Sequence, residues 1–495
     1  MRNYLIKLII VVFILGWTLP AAAGGEDAFG QLLSILAEKK VLTPDELQRL
    51  SESLNREREA LRQRAGMLDQ REKELDQRER RLNDGFAAAK NPNPVVKKKD
   101  KGKEPGIVIG SKKYNLRPGA VLQTDYRLFH YEEDGAARNG FDIRRAQLIL
   151  SGRAGNRLGY RFSYEFQGTS SRRLLDAYLD LDLFRPQLTL RAGQFKEPFG
   201  LEASGSIADL LFAERAMGAS LAPGRDMGLS IRGVGWNHRL TYALGLFSGD
   251  GKDDSTRGEA DTPEAAGRLT FQPFSGSSGF LENLHLGGSF SYADVDRNNL
   301  ALNVKTPGQT SFFSVSAASK FKIIHDAGFR RRWGAELGWA HGPLALMSEY
   351  SRLSISDVTT SSDVFDLNLE GFYLSLAWTL AGEQPFFKDG AWQPPRPRRS
   401  VWQGGPGAWV LAARYDWFKA HDVYGKLINP GESISRAGAL SLALSWHLDE
   451  YARFILDLSR TDFDRPLLIR VDSETGEALF SDHEYALTLR LQFKL

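Results

Sequence analysis

Arg157-Leu158-Gly159-Tyr160-Arg161-Phe162-Ser163-Tyr164-Glu165-Phe166-Gln167 alternates with a period of two. Leu158, Tyr160, Phe162, Tyr164 and Phe166 share one parity, and Arg157, Gly159, Arg161, Ser163, Glu165 and Gln167 take the other. Side chains on a strand alternate faces, so this is a strand with one greasy and one wet side. A soluble sandwich would bury the greasy side against a second sheet. A membrane barrel would turn it toward lipid and place the arginines in a lumen. The rest of the chain decides between them.

The same period recurs from Tyr114 to the end. It predicts sixteen strands, near 119–129, 143–153, 157–167, 173–183, 188–196, 226–233, 238–248, 266–272, 284–293, 332–340, 344–353, 371–380, 408–418, 438–448, 452–461 and 484–494. Several approach ten residues, the length that crosses a bilayer at a tilt. The connections divide into short ones (154–156, 341–343, 449–451) and long ones (130–142, 249–265, 294–331, 419–437). Short turns at one end and long loops at the other are the pattern of an outer-membrane barrel. Aromatic residues gather near strand ends, where the membrane interfaces would lie. The reading is therefore all-β, a 16-stranded antiparallel transmembrane β-barrel over 114–495, with its greasy parity in lipid.

The first 113 residues are different. Arg2 and Lys7 precede an apolar run from Leu8 to Leu15, and Ala21-Ala22-Ala23 offers a cleavage site, so 1–23 reads as a secretory signal peptide. Within 24–89, Leu47, Leu54, Leu61, Leu68, Leu75 and Leu82 recur every seven residues in a highly charged background. That spacing predicts a periplasmic α-helical coiled-coil extension. Glu57, Arg64, Arg71 and Arg78 at the second seam position leave a lone, salt-bridge-laced helix as the other reading. Residues 90–113, with Asn91-Pro92-Asn93-Pro94 and Lys97-Lys98-Lys99, read as a flexible basic linker. The chain has no cysteine, which excludes disulfide stapling and thiolate chemistry.

Wet parity names the lumen wall. It carries Arg127, Arg145, Arg153, Arg157, Arg161, Arg191, Arg232, Arg268, Arg414, Arg453 and Arg490, and the acids Glu165, Asp176, Asp180, Asp182, Glu336, Glu349, Asp416 and Asp457. Arginine stays charged and grips phosphate or carboxylate with a planar fork, and rings of cations make pores anion-selective. Yet residues 114–495 hold 42 Lys and Arg against 45 Asp and Glu. Selectivity then requires the acids to lie on loops and on other sectors of the wall. A mixed-charge, weakly selective lumen is the open alternative.

The segment 197–224 is too apolar for a free surface loop. Its middle, Ser206 to Arg215, reads as a short helix. Either it folds into the lumen, where Arg215 with the flanking Lys196 and Arg225 would form a constriction, or its apolar residues serve subunit contacts.

Certain stretches match a known pattern. Phe141-Asp142-Ile143-Arg144-Arg145-Ala146-Gln147-Leu148, Gly193-Gln194-Phe195-Lys196-Glu197-Pro198-Phe199-Gly200-Leu201-Glu202, Phe212-Ala213-Glu214-Arg215, Thr306-Pro307-Gly308-Gln309 and the run Gly404 to Tyr415 resemble the phosphate-selective porin O and P family of Gram-negative outer membranes. The match extends to Leu448–Asp462, and these stretches lie in order along the barrel region. The resemblance implies a homotrimer of sixteen-stranded barrels passing small anions (phosphate, polyphosphate or chloride), with phosphate or polyphosphate favoured in the family's best-known members. It also implies a paired arginine on the second strand, matched by Arg144 and Arg145. Only Arg145 has lumen parity, so Arg144 needs a bulge or a position at the mouth.

The candidate anion pathway is accordingly Arg144, Arg145, Arg161, Arg191, Lys196, Arg215, Arg225 and Arg232. No cofactor, metal, catalytic residue or nucleic acid is implied. A barrel enzyme would need a nucleophile beside a base, and the eight histidines are dispersed. The remaining alternative is an envelope-tethering protein acting through its N-terminal helix, which would contact the cell wall or zip the trimer in the periplasm.

Overall fold

The computed structural model describes Gln48 and residues 109–110, 114–130, 139–168, 173–249, 263–295, 300, 302–315, 323–429, 433–471 and 478–495. Apart from Gln48, the expected signal peptide and heptad helix, and most of the expected basic linker, lie outside the described residues.

Sixteen strands form the wall. They are β1 (Tyr114–His130), β2 (Gly140–Ala154), β3 (Leu158–Glu165), β4 (Leu174–Phe184), β5 (Leu188–Lys196), β6 (Arg225–Gly235), β7 (Leu240–Phe247) and β8 (Glu264–Phe271). The second half comprises β9 (His285–Asp294), β10 (Phe329–His341), β11 (Leu344–Thr360), β12 (Val364–Ala381), β13 (Ala408–His421), β14 (Arg436–His447), β15 (Ala452–Val471) and β16 (Ala478–Lys494). Each pairs antiparallel with the next, and β16 returns to β1 through pairs such as Asp125↔Arg490. The sheet closes on itself and leaves no edge.

The quoted stretch decides inside from outside. Phe162 and Phe166 on the greasy side are 41% and 56% exposed, whereas Ser163 is buried among lumen groups. Outer-membrane barrels keep short turns on the periplasmic side. That side here carries Gly155-Asn156-Arg157 and Gly342-Pro343, and it also receives both ends of the barrel.

The division into short and long connections fails in places: β11 and β12 are joined on the long-loop side by 361–363 alone, and on the short-turn side 272–284 and 382–407 are long. The link from β12 to β13, residues 382–407, lies on the short-turn side yet contains a small hairpin, Phe386–Lys388 with Ala391–Gln393. Phe387 is buried and stacks on the His285 ring, centroids 5.0 Å apart. This link therefore folds back into the barrel from the periplasmic end. At the other end the hairpin Leu302–Lys305 with Ser311–Val315 also turns inward. Its Phe312 and Phe313 are buried, with Phe418 of β13 at centroid distances of 5.6 and 5.2 Å.

Segment 197–224 crosses the lumen, with Phe212, Ala216, Met217 and Leu221 buried inside the barrel. It is not the helix that 206–215 suggests. One helical turn falls earlier, at Leu201–Ser204, and short 3₁₀ turns occupy Ile207–Asp209 and Met217–Leu221. The reason is competition for backbone groups. Arg453 Nη1 donates to Leu210 O at 2.8 Å, Arg490 Nη1 to Ala213 O, and Arg414 Nη1 to Glu214 O at 3.0 Å. In return, the Ala213 and Met217 amides donate to Asp457 and Asp416 at 2.8 and 3.0 Å. Carbonyls and amides held by the wall are not offered to the helical ladder.

Candidate functional site

Because the inward segment is tied to β13, β15 and β16, the open part of the lumen is left against β2–β8. There a space of about 720 Å³ is lined by Arg145, Arg161, Arg191, Lys196, Arg215, Arg225 and Arg232. Seven of the eight candidate residues are thus brought together. Arg268 of β8 lines the same space and lies outside that set of eight.

The eighth, Arg144, sits beside this space in a bulge. On the β1–β2 ladder Gln123 pairs with Arg145 but Thr124 pairs with Ile143, so Arg144 is the extra residue. The bulge lets two consecutive side chains face inward. Arg144 Nε and Arg145 Nη2 both reach Glu214, at 2.7 and 3.3 Å. Arg127 and Arg490 reach the same carboxylate at 3.3 and 2.7 Å. Asp125 answers Arg490 with two further contacts, at 2.6 and 2.7 Å. Four guanidinium groups therefore surround two carboxylates. Gln309, in the quoted Thr306–Gln309 stretch, descends from the inward hairpin to accept from Arg144 Nη2 at 3.0 Å.

A second group lies along β3–β6. Arg161 and Arg225 converge on Asp176 at 3.3 and 2.8 Å, and Arg191 makes a forked pair with Asp180 at 2.7 and 2.8 Å. Arg153 meets Asp182 at 2.6 Å. The acids are only partly segregated: Glu336, Glu349, Asp416 and Asp457 lie on β10, β11, β13 and β15, but Asp176, Asp180 and Asp182 share the arginine wall itself, where inward positions on neighbouring strands bring carboxylate and guanidinium within reach.

Three candidate cations have no carboxylate within salt-bridge distance among the described residues: Lys196, Arg215 and Arg232. Lys196 Nζ donates to Ala203 O at 2.9 Å and to Gly205 O at 2.6 Å. Arg215 Nη2 donates to the same Gly205 carbonyl at 3.2 Å, while its Nε takes Glu202 O at 2.8 Å. Two positive charges thus meet at one neutral oxygen. The turn 201–205 that offers these carbonyls is fixed from behind, since Glu349 accepts from the Leu201 and Glu202 amides at 2.5 and 2.9 Å.

Other lumen-parity arginines have a different position. Arg414, Arg453 and Arg490 are almost wholly buried beneath the inward segment and hold it in place. Parity places a side chain inside the barrel but does not say what covers it. Glu214 was not among the candidates, although it lies within the quoted Phe212–Arg215 stretch beside Arg215.

A closed sixteen-strand wall with an inward segment after β5 is the geometry of a diffusion channel. A family model described as phosphate-selective porin O and P matches residues 117–494. The chain belongs to this porin family. Porin O of Pseudomonas aeruginosa is 25% identical over 373 residues, covering 70% of this chain and 82% of that protein. Among solved structures, an anion-selective porin from Comamonas acidovorans superposes with a TM-score of 0.48 at 11% identity, over 77% of this chain and 100% of that one. The outer membrane channel DcaP of Acinetobacter baumannii gives 0.46 at 9%, over 78% and 99%. The porin resides in the outer membrane, where the greasy parity of its strands meets lipid. Family and fold are those of channel proteins rather than enzymes.

Proposed function

We propose that the porin passes anions, phosphate or polyphosphate foremost, along the space lined by Arg145, Arg161, Arg191, Lys196, Arg215, Arg225 and Arg232, with Arg144 at its edge. The observation that carries this reading is the pair Lys196 and Arg215, which converge on the Gly205 carbonyl with no carboxylate within salt-bridge distance of either among the described residues. An anion arriving there exchanges part of its hydration for ammonium and guanidinium donors. The carboxylate-paired arginines on either side offer weaker stations before and after. Passage needs sites strong enough to admit the ion and weak enough to release it. Asp176 and Asp180, each already engaged with arginine, keep the neighbouring stations moderate. The family supports a homotrimer, with residues 24–113 extending into the periplasm.

The test is a reversal potential in a planar bilayer under a potassium chloride gradient, followed by phosphate titration, on wild type and on Lys196→Gln/Arg215→Gln. An anion-selective potential with phosphate block that is lost in the double variant supports the reading. Anion selectivity without block leaves a general anion porin. A cation-selective potential sinks the assignment, since the acids on the wall would then dominate.

A further inference from the structure

The outer surface of the barrel is not uniform around its circumference. On β10–β15 the lipid-facing run of each strand carries, toward the long-loop side, a charged residue: Arg331, Arg352, Glu370, Lys419, Arg436 and Arg460 in strand order, with the exposed Phe329 one step beyond Arg331. Five of the six are cations. Their outward direction follows from register and parity. Arg331 pairs with Tyr292 and Ser354, while its neighbours Arg330 and Arg332 point inward to Glu264 at 2.5 and 2.6 Å. Trp333, Arg352, Glu370, Lys419 and Arg436 are successive cross-strand partners on one outward row.

Directly below runs a row of aromatics. Tyr350 pairs with Phe372 and Phe372 with Trp417, and the Trp333 and Tyr350 rings lie 5.0 Å apart. Such a girdle marks the level where acyl chains give way to headgroups. The cations therefore stand at headgroup depth in the extracellular leaflet. The neighbouring sectors differ: the outward faces of β6 and β7 end at this side on the exposed Met227 and Leu246, and that of β9 ends on an acid, Asp294.

Internal pairing does not account for the charge. Arg352 meets Glu370 at 3.3 Å and Arg460 meets Asp462 at 2.8 Å, but Arg436 approaches Asp464 only to 3.9 Å. Arg331 and Lys419 have no carboxylate within salt-bridge distance among the described residues. Bare cations above an apolar and aromatic band complement an amphiphile with acyl chains below and phosphate at the level of the guanidinium groups.

We infer that the β10–β15 face binds the phosphorylated glycolipid of the outer leaflet, with Arg331, Lys419 and Arg436 engaging its phosphate groups. The pore is not involved, because every one of these side chains lies on the opposite side of the wall from the lumen.

The experiment uses the full chain in detergent, loaded with bis-phosphorylated lipid A and read by native mass spectrometry, with single-channel conductance recorded in parallel. Arg331→Gln/Lys419→Gln/Arg436→Gln should retain lipid A about tenfold less well, which is about 1.4 kcal/mol over the three cations together. Its conductance should match wild type. A charge-matched control, Arg157→Gln/Arg185→Gln/Arg239→Gln on the periplasmic turns, should retain lipid as wild type does, and dephosphorylated lipid A should bind all three proteins equally weakly. Equal retention by the β10–β15 variant and wild type overturns the inference. So does strong retention of the dephosphorylated lipid. A variant that keeps its lipid but changes subunit number would instead identify this face as a contact between copies of the chain, and the inference fails there too.

Discussion

At the scale of single residues, Glu214 governs the charge at the upper group. Burial pushes its carboxyl up, but Arg145, Arg144 and Arg490 beside it outweigh this and hold it well below the ordinary carboxylate value. A carboxylate depressed in the folded protein contributes stability above its unfolded value, and loses it only as pH falls through the lower folded value. Glu214 therefore stays ionised from pH 7 to pH 5. Glu214→Gln leaves the surrounding arginines one charge less compensated. Its anion-over-cation permeability ratio should rise by roughly two- to threefold, the effect of one charge acting through partly aqueous surroundings. The difference from wild type should persist unchanged down to pH 5 in reversal-potential measurements. A difference that fades between pH 7 and pH 5 would show Glu214 taking up a proton in the native protein. Parity, a local property, put Arg145, Arg161, Arg191 and Arg232 on the inward side of their strands, and they line the open space. Sequence did not supply Glu214, whose role exists only once β1, β2, β16 and the inward segment meet, and it left Arg144 undecided because a bulge is set by the partner strand.

At the scale of elements, the inward segment depends on close approach and on wall donors. Gly218 lies against Gly371 of β12 so tightly that a Cβ on Gly371 would overlap the Gly218 Cα, and one on Gly218 would come within 3.1 Å of the Gly371 Cα. Gly371→Ala should push the segment off the wall and into the open space, lowering single-channel conductance while the strands still pair. Unchanged conductance would mean that the segment slides without narrowing the path. Arg453→Ala acts from the other side. It removes the donor to Leu210 O and a contact to Gln492, leaving a buried carbonyl unmet at a cost of about 1–3 kcal/mol. Open-channel noise should increase and the denaturation midpoint should fall; a quiet trace at wild-type stability would show that the other anchors suffice. The apolar character of 197–224 was legible, and so was its inward course as one of two options. Its conformation was not, because helix propensity over Ser206–Arg215 is overridden by acids and arginines contributed from strands about two hundred residues away or more.

At the scale of the whole molecule, all sixteen strands were legible, since each carries its own alternation and closure needs only that neighbours pair. The link 382–407 was not, because a segment that packs through Phe387 and backbone carbonyls has no period to read. Its tip is held by three contacts to the barrel. Arg268 Nη2 donates to Gly390 O at 2.8 Å, Gln272 Nε2 donates to Phe387 O at 3.0 Å, and His238 Nδ1 lies 2.6 Å from Asp389 Oδ1. Asp389, Gly390 and Ala391 line the arginine-walled space, and residues 391–397 line a second space of about 340 Å³ on the periplasmic side of the inward segment. On the proposed path, an ion leaving the arginine-walled space passes the link before reaching the periplasm. Replacing residues 384–399 with a short glycine–serine connection should widen that exit and raise single-channel conductance roughly twofold, because resistance in a pore concentrates at its narrow places. Anion selectivity should fall modestly, because the replaced residues carry Lys388, Arg396, Arg398 and Arg399 against Asp389 alone, while Lys196, Arg215 and Arg232 stay in place. Arg268 supplies the internal control: freed from Gly390, it keeps its pair with Glu336 at 2.8 Å, so the wall should stay intact and the denaturation midpoint should move far less than the conductance. Conductance equal to wild type would place the exit elsewhere in the lumen and leave the link as packing for His285 and Gly338 alone.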